Sequence, residues 1–249
     1  MIEAVDLTKR YEDRVLALDA LNLKVSPGEI YFLLGANGAG KTTVINLFLN
    51  FIEPTAGRAL INKIDVTKEP LAAKKHVAYV AEDLMLYGNF TARQNLDFFA
   101  RLGGQRGLKT DDYYQVLREV GLEEKAFEQK LKAFSKGMRQ KIGLAIAMIK
   151  DAPAILLDEP TSGLDPKVSA ELMETLVALR ARGKAILIST HDIFRAREVA
   201  DRVGIMKEGR KVIERTRAEL EQEDLQTLYL DYMRSGYPSD FKSTQHGIS

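Results

Sequence analysis

The run Gly35-Ala36-Asn37-Gly38-Ala39-Gly40-Lys41-Thr42 constrains this chain more than any other stretch. It follows the apolar residues 30–34 and opens a helix-period segment, so it must turn the end of a buried strand into a helix. Its glycines reach backbone conformations closed to other residues, and successive N–H groups can then turn inward around anionic oxygens. In that geometry Lys41 reaches the β- and γ-phosphates of a nucleotide and the Thr42 hydroxyl ligates Mg²⁺. Gly35, Asn37, Gly38, Ala39, Gly40, Lys41, Thr42 and Thr43 are therefore the candidate nucleotide-holding residues. A plain glycine-rich turn is the bland alternative, and the flanking strand and helix argue for the phosphate cradle.

A cradle of this kind belongs in an α/β fold. Short apolar runs bounded by turn residues do alternate with helix-period stretches along the chain, as a largely parallel sheet requires. The patterning predicts strands near 3–7, 15–25, 30–34, 58–62, 77–80, 154–158, 185–190, 202–207 and 211–213. It predicts helices near 41–50, 92–102, 112–120, 136–149, 167–182, 192–200 and 225–234. Residues 84–150 read as helical throughout and separate two strands, as a helical subdomain inserted into an α/β core would. Residues 215–249 begin with a helix whose Leu225, Leu228, Tyr229 and Tyr232 share a face, then run into a polar tail after Gly236 that is expected to fray.

Charge and length bound what such a chain can do. The 249 residues suffice for one large domain. Thirty-six basic side chains against thirty-five acidic ones leave a net charge of +1, so no global footprint for nucleic acid is present and none is expected as a partner. Cysteine is absent, which removes disulfides and thiolate metal sites and suits the cytosol. The opening Met1-Ile2-Glu3-Ala4-Val5-Asp6 lacks a basic leader and an apolar stretch, and no signal peptide is expected. No run reaches the roughly 18 apolar residues that cross a bilayer, so any membrane role is expected to come through a partner.

Two further strand ends carry chemistry. The buried-strand pattern Ala154-Ile155-Leu156-Leu157 stops at Asp158-Glu159-Pro160, where proline forbids further pairing. Carboxylates there sit at the carboxyl edge of the sheet, where open parallel sheets bind ligands. Asp158 is the expected Mg²⁺ partner. Glu159 points to the opposite side if strand geometry persists, leaving it free to accept a proton from an attacking water. His191 ends the strand 185–190 beside the same crevice and can donate to a γ-phosphate oxygen in either charge state.

Together with Phe134-Ser135-Lys136-Gly137-Met138-Arg139-Gln140, these pieces resemble the nucleotide-binding subunit of ABC transporters over residues 7–214. The heptad resembles the family signature, usually Leu-Ser-Gly-Gly-Gln. Read from residues alone it is a helix capped by Ser135, whose free N–H groups favour an anion. The resemblance implies a P-loop NTPase of RecA-like core, with an N-terminal antiparallel β-subdomain and the helical subdomain inserted at about 84–150; residues 1–214 would form the ATPase domain and 215–249 an extension. It implies that Ser135 and Gly137 contact the γ-phosphate of ATP held on a second, opposite subunit, and that two ATP are sandwiched in a head-to-tail dimer. Tyr11 resembles the adenine-stacking aromatic, Ser162-Gly163-Leu164-Asp165 the D-loop linking the two sites, and His191 the switch histidine. Residues 83–90 and the helix after Thr91 would border the groove that receives a short helix of a transmembrane permease subunit. The subunit would then lie on the cytoplasmic face of the membrane.

Two departures stand out. Glu82 occupies the position of the family's usual glutamine, where a carboxylate still suits Mg²⁺ but adds charge beside the phosphates. Lys136 and Met138 replace a glycine and the final glutamine of the signature, while Ser135 and Gly137 remain. Both departures resemble export systems of the ABC-2 type, which favours export over import. A soluble ATPase of the same type, or a regulatory subunit with little turnover, are the rival readings; the chain carries one motor domain without long coiled-coil inserts, and its Lys41, Asp158, Glu159 and His191 are intact.

Overall fold

The computed structural model describes residues 1–12 and 15–234. The chain opens with two long strands, β1 (Ile2–Arg10) and β2 (Leu16–Val25), followed by β3 (Glu29–Gly35) and α1 (Lys41–Phe48). Next come β4 (Ala56–Ile61), β5 (Ile64–Asp65), α2 (Pro70–Lys75) and β6 (Val77–Val80). Three helices follow without an intervening strand: α3 (Ala92–Leu102), α4 (Thr110–Glu119) and α5 (Lys136–Lys150), with single 3-10 turns at Glu124–Ala126 and Leu131–Ala133. The core then resumes with β7 (Ala154–Asp158), α6 (Pro166–Ala181), β8 (Ala185–Thr190), α7 (Ile193–Val199), β9 (Arg202–Lys207) and β10 (Arg210–Thr216). Two helices, α8 (Arg217–Leu220) and α9 (Leu225–Arg234), end the described chain; the polar tail expected after Gly236 lies outside it.

The strands form two sheets. One is antiparallel, in the order β2-β1-β4-β5; the other runs β10-β9-β3-β8-β7-β6 and is parallel except at β10. The short elements β5, α2 and α8 escape the sequence patterning because two to six residues are too few to show a period.

Strands β3, β7 and β8 read as uninterrupted apolar runs because both faces of their sheet are covered. Alternation still sorts their side chains. Ile30, Phe32, Leu34, Ile155, Leu157, Ile186 and Ile188 join the core shared with α3 to α6, while Tyr31, Leu33, Ala154, Leu156, Ala185 and Leu187 join the core shared with α1, β1 and β2. A one-residue slip in any of these strands would exchange the two sets. Leu220 and Leu225, 2% and 0% exposed, belong to the first core, and Leu228, Tyr229 and Tyr232 pack against it, so the apolar face of α9 is docked on the main body.

Strand β3 packs closely against β9. A Cβ on Gly204 would lie 2.2 Å from the hydroxyl of Tyr31, which is fully buried and donates to Glu214 Oε2 at 2.8 Å. Gly204→Ala is therefore expected to destabilise the protein by about 1–3 kcal/mol. Adding Tyr31→Phe should recover part of that loss, because it removes the atom in closest conflict. Denaturant unfolding of the two single variants and the pair measures both effects.

Candidate functional site

The cradle forms between β3 and α1, at the carboxyl edge of the parallel sheet. Gly38 and Gly40 take φ of 81° and 103°, the left-handed region that glycine tolerates without cost. At Gly40 a side chain is excluded twice over, since a Cβ would meet the Ala17 carbonyl oxygen at 2.6 Å. Gly35 is squeezed from behind, where a Cβ would sit 2.8 Å from the Met206 carbonyl oxygen. Lys41, only 6% exposed, folds back over the loop and donates to Gly35 O at 2.6 Å and Ala36 O at 3.3 Å. Its ammonium thus stands in the cradle with the loop carbonyls as its provisional partners.

An open pocket of about 560 Å³ lies over this loop. Asn37, Gly38, Gly40, Lys41, Thr42 and Thr43 line it together with Glu82, Asp158 and Glu159. The opposite wall was not legible in sequence: Val15, Leu16 and Ala17 of the first sheet, and Glu208 and Gly209 from the turn between β9 and β10. Gly35 and Ala39 support the loop from beneath instead of lining the pocket. Tyr11 does not line it either; its ring is 38% exposed and lies under the Lys9 ammonium, 5.2 Å from the ring centroid.

Strand geometry does not persist from Asp158 to Glu159, which corrects the alternation argument. Glu159 has φ of 44°, outside strand geometry, and its side chain reaches both Lys41 and the end of β8. Glu159 Oε1 lies 3.6 Å from Lys41 Nζ, and Oε2 lies 3.0 Å from His191 Nδ1. His191 therefore meets the catalytic candidate directly, but its ring is 60% exposed and lines a neighbouring cavity of about 370 Å³ with Glu159 and Thr190, not the pocket over the loop.

Asp158 is 8% exposed and accepts from the Ser189 hydroxyl. Burial pushes its carboxyl above the ordinary aspartate range, with the Glu159 charge adding to the effect, against hydrogen bonds from Ser189 and Thr42 and the charge of Lys41. The same negative charge reaches Tyr79, whose hydroxyl is pushed up to about 12, first by burial and then by Asp158. A carboxylate costly to ionise, beside the Thr42 hydroxyl, is a hard-oxygen pair that a divalent cation relieves. Such a pair suits Mg²⁺, an ion usually held by one or two carboxylates plus phosphates.

The shift at Asp158 carries a stability consequence. Because the folded-state carboxyl sits above its unfolded value, ionisation penalises the folded state from about pH 4 upward and fully once pH exceeds the folded value. Asp158→Asn is expected to raise the Tm of the nucleotide-free protein at pH 7. That gain should vanish near pH 4. Calorimetry across this range checks the sign.

Ser135 caps α5, accepting from Met138 N at 3.2 Å, and Gly137 is buried, with a would-be Cβ 2.8 Å from Val168. Asp165 caps α6, accepting from Val168 N at 3.0 Å. None of the three lines the pocket over the cradle. Glu82 is linked to the signature helix through its neighbour, since Gln140 Nε2 donates to Ala81 O at 3.2 Å. Sequence reasoning missed Ser189 and Thr190, the buried hydroxyls of β8 that touch the two carboxylates. Their signal was present as a polar pair closing an apolar strand.

Comparison with known proteins agrees with this architecture. The ABC transporter family model matches residues 18–162. The Nod factor export ATP-binding protein I of Burkholderia pseudomallei (strain 1710b) is 37% identical over 213 residues, covering 86% of this chain and 70% of that protein. The probable multidrug ABC transporter ATP-binding protein YbhF of Escherichia coli (strain K12) is 34% identical over 213 residues, 85% of this chain but only 36% of its own length. Among solved structures, the dimeric post-hydrolysis state of the ATP-binding cassette MJ0796, bound to ADP and Pi, superimposes with a TM-score of 0.78 at 27% identity, covering 87% of this chain and 99% of that one. A phosphate cradle, a buried aspartate and a glutamate joined to a histidine thus occur on a fold and sequence shared with these proteins, and the chain belongs to the ABC transporter family as an ATP-binding, ATP-hydrolysing subunit.

Proposed function

We propose that this chain energises export through a separate transmembrane permease, by closing with a second nucleotide-binding subunit, most simply another copy, around two ATP. The observation that carries the reading is the convergence of Lys41 and His191 on Glu159 at the mouth of the phosphate cradle. Glu159 accepts the proton of the attacking water, Lys41 neutralises the β/γ-phosphates, and His191 holds Glu159 and donates to the γ-phosphate. Thr42 and Asp158 would hold Mg²⁺, with Glu82 within the same pocket as a further oxygen donor. When bound, that ion would supply positive charge to offset the charge developing on the phosphate oxygens.

Dimer closure is supported by what the pocket lacks. The cradle is open, and Ser135, Gly137 and Asp165 stand outside it, available to cover the ATP of an opposite subunit. The relatives' names support export: one is a Nod factor exporter subunit and one a probable multidrug transporter subunit. No helix among the described residues is long and apolar enough to cross a membrane, so the path for cargo falls to the permease. Tyr87, Phe90 and Phe98, with ring centroids 4.8–6.3 Å apart and 36–47% exposed, supply an aromatic surface for that partner at residues 83–98. By this reading the subunit works at the cytoplasmic face of the membrane.

Steady-state ATP hydrolysis against protein concentration, with sizing in Mg-ATP, is the direct test. Specific activity rising with concentration, together with ATP-dependent dimers, is expected. Concentration-independent turnover by a monomer would overturn the sandwich.

A further inference from the structure

We infer that Thr190 is a positioning residue for hydrolysis, whose hydroxyl fixes which carboxylate oxygen of Glu159 is left to take the proton from water. The inference rests on the proposed role of Glu159 as base and adds a residue that acts through it.

Thr190 ends β8, is 2% exposed and has a satisfied hydroxyl. Its Oγ1 lies 2.9 Å from Glu159 Oε2 and 3.1 Å from Asp192 N. A hydroxyl has one proton to give and lone pairs to receive. The Asp192 N–H can only donate, so it takes the acceptor side of Thr190. The ionised carboxylate can only accept, so the Thr190 proton must point at Oε2. The direction of this hydrogen bond follows from its two partners.

Every other tether of Glu159 from the end of β8 reaches the same oxygen. His191 Nδ1 lies 3.0 Å from Oε2, and the His191 backbone N–H approaches it at 3.4 Å. Oε1 faces Lys41 at 3.6 Å, beyond hydrogen-bond reach. One carboxylate oxygen is therefore anchored and the other is directed toward the cradle with its lone pairs uncommitted. Because φ at Glu159 is 44°, outside strand geometry, the side chain relies on these tethers for its aim. His191 is 60% exposed, whereas Thr190 is buried, so Thr190 is the constant member of the pair.

The test compares Thr190→Val, Thr190→Ala and Thr190→Ser in the full chain, alone and combined with Glu159→Gln, measuring steady-state and single-turnover ATP hydrolysis, ATP affinity and nucleotide-free Tm. Valine keeps the shape and removes the donor, and alanine serves if valine does not fold. Thr190→Val is expected to lower kcat about tenfold with KM and ATP affinity unchanged, the size set by losing one hydrogen bond to a charged group. Thr190→Ser should restore most of the turnover. In the Glu159→Gln background the valine change should cost nothing further, because the atom it positions has lost its function. Unchanged kcat in Thr190→Val, a loss matched by weakened ATP binding, or a full multiplicative loss in the double variant would each overturn the inference. If Glu159→Gln by itself leaves turnover intact, the reading of Glu159 as base fails instead.

Discussion

Glu159→Gln is expected to lower ATP turnover by about 10²–10⁴-fold, the range general-base catalysis supplies, with little change in ATP affinity. The amide is isosteric and keeps one oxygen to accept from Thr190 at the Oε2 position, so the aim of the side chain is retained. What disappears is the ability to take a proton. The substitution also removes one negative charge from the neighbourhood of Asp158, where that charge raises the carboxyl above its ordinary value, and leaves Lys41 without the carboxylate 3.6 Å away. Both changes favour an incoming polyphosphate, so nucleotide binding should hold or tighten slightly. With binding intact and hydrolysis blocked, Mg-ATP should accumulate closed dimers of the variant, visible by sizing. A variant that hydrolyses at the normal rate would exclude Glu159 as the base.

Lys41→Ala is expected to fail earlier in the cycle. Its ammonium is the cation at the centre of the cradle, 6% exposed and already desolvated, so it engages phosphate without a large further cost. A charge-assisted hydrogen bond contributes about 1.5–3 kcal/mol, which corresponds to about 10- to 150-fold in affinity. Loss of kcat should accompany it, since the same ammonium offsets charge that grows in the transition state. ATP titration separates the two variants: Lys41→Ala loses binding and dimers together, whereas Glu159→Gln keeps both. Lys41→Ala also strips the carbonyls of Gly35 and Ala36 of their donor; Ala36 lines the open pocket, where water replaces it, whereas the bond to Gly35 O is buried and its loss adds a stability cost of about 1–3 kcal/mol.

The sandwich reading has a structural complement in the signature segment. Gly137 is packed against Val168, and Asp165 and Ser135 each cap a helix. These residues hold α5 and α6 in place whether or not a second subunit is present, so loss of activity on changing them cannot by itself prove contact with a trans ATP. Ser135 is the cleaner probe, because its cap is exposed and contributes only about 1 kcal/mol.

Sequence alone determined the things that depend on local pattern. The cradle is contiguous, its glycines and Lys41 being neighbours in the chain, and the strands carrying Asp158 and His191 are apolar runs with polar ends. The cap at Ser135 is likewise local, since it closes a bond three residues away. Fold class follows from the same alternation of runs and periods.

Only the tertiary structure decided what meets across the sheet. Glu159 was expected opposite Asp158 if strand geometry persisted, yet its φ is 44° and its carboxylate stands 3.6 Å from Lys41. Ser189 and Thr190 become partners of the two carboxylates because β7 and β8 pair in parallel register, Asp158 beside Ser189, over a separation of 31 residues. Val15, Ala17 and Gly209 wall the pocket because the antiparallel sheet closes over the end of β9, a contact with no local signature. Tyr11, chosen by position in the sequence, stays outside that pocket beside Lys9. The division has one physical reason: backbone conformation and capping are set by neighbours within a few residues, whereas register and packing between distant strands depend on which faces the whole chain can bury at once.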